Sequence, residues 1–309
     1  GWDEVRDRWF ARQLEFGVIP ADTVLAPRNP GVLPWGDLSD NEQALACRLQ
    51  EAFAAMLEHT DAQIGRLVET LDQLEVLDDT LIMVLSDNGA SQEGGPTGVL
   101  DEMKFFNFVA EDPDTAVERL DDIGGPRSHS NYPWGWAQVG NCPMRWYKQN
   151  THGGGVRDPL VVHWPNGITD SGGIRDQFHH ITDITPTILE LAGVAVPTDY
   201  RGVPQLPMSG TSLAYTLDDP DAATRREVQY FEMFGHRAIW ADGWKAVTRH
   251  EPGIDYDDEA WELFHLDADI SETNDLAAVE PERLRTMTDL WWAEADRHGV
   301  LPLDDRTVE

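Results

Sequence analysis

The chain has 309 residues, and its 56 Asp and Glu against 23 Lys and Arg give a formal net charge of −33, which excludes nucleic acid and anionic membranes as partners on electrostatic grounds. No stretch reaches the roughly 18 apolar residues of a membrane span. With 41% hydrophobic residues, dispersed Gly and Pro and only two cysteines, it reads as a soluble protein of the cytoplasm or periplasm, without a disulfide framework, built from one large core and a smaller satellite domain.

Residues 1–34 predict a short amphipathic helix and a proline-rich connection (Pro20, Pro27, Pro30, Pro34). A long helix follows. Ser39 and Glu42 form a capping-box pattern, and Leu45, Leu49, Phe53, Met56, Thr60, Ile64, Leu67, Leu71 and Leu74 recur at spacings of three and four. Cys47, in Ala-Cys-Arg, reads as a buried small hydrophobe. His59 and Asp61 lie two positions apart, do not share a helix face, and read as solvated. The apolar run Thr80 to Ser86 predicts a strand buried on both faces of a sheet. Asp87-Asn88-Gly89 comes directly after it, at the carboxyl end where open α/β sheets bind ligands. A carboxylate and a side-chain amide there offer hard oxygens that suit Ca²⁺ or Mg²⁺, although the same residues also make ordinary turns.

From Gly95 to Asn150 glycine, proline and aromatics dominate, among them Tyr132, Trp134, Trp136, Trp146 and Tyr147. Two readings stand side by side: an apolar wall for an aryl or alkyl leaving group, and a satellite core that holds the loop down. A strand over Leu160 to Trp164 leads to a short helix, with Thr185 as cap, Pro186 in the first turn and Gly193 at the end. Before it, His179-His180-x-x-Asp183 has the spacing of a ligand cluster or of satisfied structural histidines. Strands are predicted over Gln229 to Met233, Ala238 to Ala241 and Lys245 to Thr248, the last two joined by the hairpin signal Asp242-Gly243. Trp261 to Leu266 reads as another strand and Pro281 to His298 as a packed helix.

Five blocks, in order along the chain, carry a resemblance: TLIMVLSDNGASQEGG (80–95), WYKQNTHGGGVRDPLVVHWP (146–165), HITDITPTILELAGV (180–194), GHRAIWADGWKAV (235–247) and WELFHLDADISETNDLA (261–277). Together they resemble the C-terminal part of an arylsulfatase, in the sulfatase family of the alkaline phosphatase superfamily. The resemblance implies an α/β fold: an alkaline-phosphatase-like sandwich with a mixed, largely parallel central sheet flanked by helices, plus a smaller C-terminal antiparallel sheet with a packed helix. It places the catalytic domain at 1–220 and an α+β subdomain at 221–309. It also implies hydrolysis of small-molecule sulfate esters of aryl type, with Asp87 and Asn88 as metal ligands for Ca²⁺ more than Mg²⁺. Lys148 would be the catalytic, substrate-binding contact to sulfate. It is one of three lysines (with Lys104 and Lys245) against 34 aspartates, and its compact ammonium can approach a sulfuryl oxygen more closely than a guanidinium.

Two family features are absent. Sulfatases carry a pair of metal-binding aspartates near the N-terminus and a Cys-x-Pro-Ser-Arg signature whose cysteine becomes formylglycine, the nucleophile. Cys142-Pro143-Met144-Arg145 sets proline one position early and lacks the serine. Ca²⁺ takes six to eight oxygens, more than Asp87 and Asn88 supply. Nucleophile and remaining ligands are therefore expected upstream of Gly1, and the 309 residues alone are expected to be inactive. A histidine is expected to protonate the leaving oxygen. Gly153 stands where the family has the glutamate of His-Glu-Gly-Gly, the triple glycine 153–155 lets backbone approach the site, and Arg157 reads as structural. The alternatives are a phosphonate monoester or phosphodiester hydrolase of the same superfamily, and a non-catalytic Ca²⁺-binding or carbohydrate-binding module.

Overall fold

The computed structural model describes residues 1–304. Its main elements, in order, are α1 (Trp2–Glu15), α2 (Asp40–Gln73), β1 (Ile82–Leu85), α3 (Trp134–Gly140), β2 (Leu160–His163), α4 (Ile184–Leu191), β3 (Val228–Met233), β4 (His236–Ala241), β5 (Trp244–Thr248), β6 (Glu262–His265) and α5 (Pro281–Arg297). Shorter helical turns and one pair of two-residue strands lie between them. The chain divides into two compact units: Gly1–Arg66 with Asn88–Pro159 and Tyr230–Glu309, and Leu67–Asp87 with Leu160–Gln229. Among the described residues no helix is long and apolar enough to cross a membrane.

In the first unit α2 starts with the predicted capping box: Ser39 N donates to Glu42 Oε2 at 2.7 Å, and Glu42 N to Ser39 Oγ at 3.3 Å. Leu45, Ala46 and Leu49 are buried with Trp2, Leu100, Ile123, Tyr132, Trp136, Trp146 and Tyr147 in one core, where each large apolar side chain is worth about 1.5–3 kcal/mol of burial. Cys47 is exposed, against the sequence reading, because the buried stripe at positions 45, 46 and 49 leaves 47 on the solvent side. The 95–150 aromatics resolve in favour of the satellite core. Trp136 donates from Nε1 to Ala46 O at 2.9 Å, and Trp134 stacks on Tyr147 while donating to Gln92 O at 2.8 Å. Phe106 and Phe108 are the rings of this segment that face solvent.

The C-terminal sheet has the order β3-β4-β5-β6. Asp242 (φ 50°) and Gly243 (φ 76°) make the tight turn between β4 and β5, the left-handed geometry for which Asp-Gly is suited. Helix α5 packs on β4 and β5, with Trp291 fully buried and its Nε1 donating to Phe231 O at 3.0 Å. All five of these elements lie within two residues of the sequence prediction.

In the second unit β1 pairs with β2 antiparallel, from Ile82 opposite His163 to Leu85 opposite Leu160. The doubly buried strand expected here is instead half open, with Val84 and Leu85 each 40% exposed. Its apolar run reports a capacity for burial; a two-stranded ribbon covers only one edge, and no parallel neighbour occurs among the described residues. Thr185, predicted as the cap, lies inside α4, whose N-cap is Asp183 without a side-chain cap hydrogen bond; the preceding turn over Ile181–Asp183 has a capping box of its own, formed by His180 and Asp183. Asp183 Oδ2 accepts from His180 N at 2.8 Å and Oδ1 from Thr211 N at 2.7 Å, and its carboxylate pairs with Arg226. Burial works against the charge, yet His179 and Arg226 hold Asp183 far below the usual carboxylate range. The His179-His180 cluster is thus structural.

Candidate active site

Asp87 is an exposed residue in the turn that follows β1, and its covalent neighbour Asn88 is half-buried. From there the backbone runs alongside two other segments. Gly89 N donates to Gly155 O at 3.2 Å, Ala90 N to Asn141 Oδ1 at 2.8 Å, and Lys148 N to Ala90 O at 3.1 Å. A Cβ on Gly89 would lie 1.7 Å from Gly154 O, so no other residue permits this approach. The Asn88-Gly89 turn, Lys148 and the 153–155 glycines, distant in sequence, are thereby joined by main-chain hydrogen bonds.

Lys148 lies in strained backbone. Trp146 (φ 63°) and Gln149 (φ 72°) occupy the left-handed region, at a cost on the order of 1–3 kcal/mol each, a feature that clusters at functional sites. Trp146 is held by Asn29 Oδ1, which accepts from its N at 3.1 Å, and by the Arg249 guanidinium 3.7 Å above its ring. The Lys148 ammonium, 37% exposed, lies 2.8 Å from Glu93 Oε1, whose side chain is 1% exposed. Gln149 Nε2 donates to the same oxygen at 3.2 Å, the Ser91 hydroxyl donates to Glu93 Oε2, and Asn131 Nδ2 donates to Ser91 Oγ at 2.7 Å. Although burial opposes it, hydrogen bonds from Lys148 and Ser91 keep the Glu93 carboxyl below its ordinary range.

Charged groups of the C-terminal sheet region grip the same loop from its other end. His152, fully buried, lies 2.8 Å from Glu262 Oε2, while Arg145 Nη1 donates to Glu262 Oε1 at 2.9 Å. Burial pulls the His152 ring below its ordinary range, against the pull of Glu262 and Glu272; despite burial, His152 and Arg145 hold Glu262 down to about 2. Glu272 accepts from Gly153 N at 2.9 Å and from Lys245 Nζ at 2.6 Å. Glu272 thus ties the backbone of Gly153 to the buried Lys245.

Asp87 and Asn88 suit Ca²⁺ in kind but fall short in number. Among the described residues no group of three or more His, Cys, Asp and Glu could hold a metal ion, so these residues alone do not make a complete centre. Cys142 is buried, and burial pushes its thiol up to about 11, which leaves it inert as a nucleophile. Sequence reasoning missed Glu93, Glu262 and Glu272, all of them inside quoted blocks but far from their partners along the chain.

Residues 26–194 match the sulfatase family, and residues 144–291 the family described as N-sulphoglucosamine sulphohydrolase, C-terminal. An uncharacterized sulfatase of Schizosaccharomyces pombe is 30% identical over 317 residues, covering 100% of this chain and 54% of its own. The arylsulfatase of Klebsiella aerogenes is 32% identical over 215 residues, 69% of this chain and 44% of its own. Among solved structures, Ps i-CgsB shares the fold at a TM-score of 0.52 with 20% identity, over 91% of this chain and 49% of its own. BT4656, solved with its substrate D-glucosamine-2-N,6-O-disulfate, has a TM-score of 0.50 and 20% identity, over 81% and 41%. The chain spans about half the length of the relatives it matches.

Proposed function

This chain belongs to the sulfatase family, and we propose that it forms part of an enzyme that hydrolyses sulfate esters to an alcohol and inorganic sulfate. The observation that carries the reading is the backbone junction of the Asn88-Gly89 turn with Lys148 through Ala90. It ties the backbone of Lys148, whose ammonium is half-exposed, to the segment that follows Asn88, which supports the reading. The Lys148 ammonium binds a sulfuryl oxygen and stabilises the charge that spreads over the sulfuryl group in a loose transition state. His152 is buried and bonded to Glu262, so the proton for the leaving oxygen has to come from another histidine.

Asp87 and Asn88 contribute two donors to a Ca²⁺ site whose other ligands, with the formylglycine nucleophile, come from outside residues 1–309. When bound, the metal acts as a Lewis acid on the sulfate. The leaving group we infer is a sugar alcohol in preference to an aryl group. The aromatic side chains that could have formed a wall for an aryl group are packed into the core, and the network around Glu93, the partner of Lys148, carries the half-buried amides Gln149, Gln92 and Asn131, groups suited to hydroxyls. In the complete protein Asp87→Ala should lose Ca²⁺ and sulfate release together. Full Ca²⁺ occupancy of that variant by metal analysis would remove Asp87 from the site.

A further inference from the structure

We propose that Glu93 is an internal counter-ion that positions Lys148 and at the same time holds down its affinity for sulfate, so that the product anion leaves. This rests on Lys148 being the sulfate contact. Both Glu93 oxygens are engaged: Oε1 by Lys148 at 2.8 Å and Gln149 at 3.2 Å, Oε2 by the Ser91 hydroxyl. A buried carboxylate so satisfied stays ionised and is no general base. The pair is also polarised, with the anion 1% and the cation 37% exposed. Only the cation can touch a bound anion, and the carboxylate stands directly behind it. Sulfate on Lys148 would feel the contact attraction and, one ammonium further in, a repulsion. At about 6–7 Å in a partly solvated site, that repulsion corresponds to roughly a tenfold loss of anion affinity.

The sign separates this role from scaffolding. If Glu93 only kept Lys148 in place, Glu93→Gln would leave sulfate binding unchanged or weaken it. A counter-ion predicts the reverse, since glutamine can still accept from Lys148 while the charge is gone. The chain supplies its own control: Lys104, paired with Glu111, is 36% exposed, matching Lys148. The two lysines can be acetylated with an N-hydroxysuccinimide ester at increasing inorganic sulfate and low ionic strength, and read by peptide mass spectrometry. Sulfate should protect Lys148 and leave Lys104 unprotected. The half-protecting concentration should fall about tenfold in Glu93→Gln and rise about tenfold in Gln149→Glu, which adds a second carboxylate at the half-exposed neighbour and serves if the first variant does not fold. Protection in the wild type with an unchanged or weaker response in Glu93→Gln, or an unchanged one in Gln149→Glu, overturns the counter-ion role alone. No protection of Lys148 in the wild type overturns the sulfate contact itself, and the inference with it.

Discussion

At the scale of single residues, the proposed function gives Lys148 two duties that substitution can separate. Lys148→Ala removes the sulfate contact, which should cost about 2–4 kcal/mol of transition-state binding. It also leaves Glu93 buried without its cation, a further loss of about 1–3 kcal/mol in fold stability. Adding Glu93→Gln should restore the stability and none of the rate, whereas Lys148→Arg should keep the ion pair yet recover little activity, its fork being larger and differently placed. Urea unfolding beside kinetics checks this; a double variant as unstable as Lys148→Ala would show that the pair does not support the fold. Titration offers a second test. Burial, with Arg226 nearby, pushes His180 down to about 4, and burial, with Arg249, does the same to His236. The unfolded chain binds those protons from about pH 6.5 downward and the folded chain does not, so stability should fall as pH drops from about 6.5 to 4. The depressed carboxyls Glu262, Glu93 and Asp183 add to the loss below about pH 4.5. A melting temperature flat from pH 7 to 4 would contradict both. Scarcity and family resemblance singled out Lys148 in the sequence. Glu93 was not, because its partner lies far along the chain and nothing local marks a carboxylate as half of an ion pair.

At the scale of elements, what local periodicity determines was readable: the capping box and length of α2, the Asp242-Gly243 hairpin, and α5. What depends on distant partners was not. The run in β1 looks doubly buried but is half open, and the start of α4 is set by Asp183 through contacts to Thr211 and Arg226. The 95–150 segment shows the same limit, because its composition fits a substrate wall and a satellite core equally well. Only the packing of Tyr132, Trp136, Trp146 and Tyr147 decides. Trp136→Ala should therefore destabilise the fold by about 3–5 kcal/mol and lower kcat/KM for aryl and sugar sulfates alike. A selective loss on aryl sulfates at an unchanged midpoint would return this ring to the substrate wall.

At the scale of the molecule, a net charge of −33 repels sulfate esters at long range. Attraction has to act within roughly a Debye length of 8–10 Å, so the proposed function rests heavily on one half-exposed lysine. The order of motifs along the whole chain made the family legible. Units assembled from separated segments, as both are here, have no signature in a linear pattern, and neither does the loop grip of Glu262 and Glu272. The central claim is that Lys148, joined to the Asn88-Gly89 turn, serves sulfate-ester hydrolysis. The most direct test is the rate at which the complete protein and its Lys148→Ala variant release product from a hexosamine 6-O-sulfate, an aryl sulfate and an aryl phosphonate monoester. Predicted is sulfate release fastest from the sugar ester, falling about a hundredfold or more in the variant. Preferred turnover of the phosphonate, or an undiminished rate in Lys148→Ala, would contradict it.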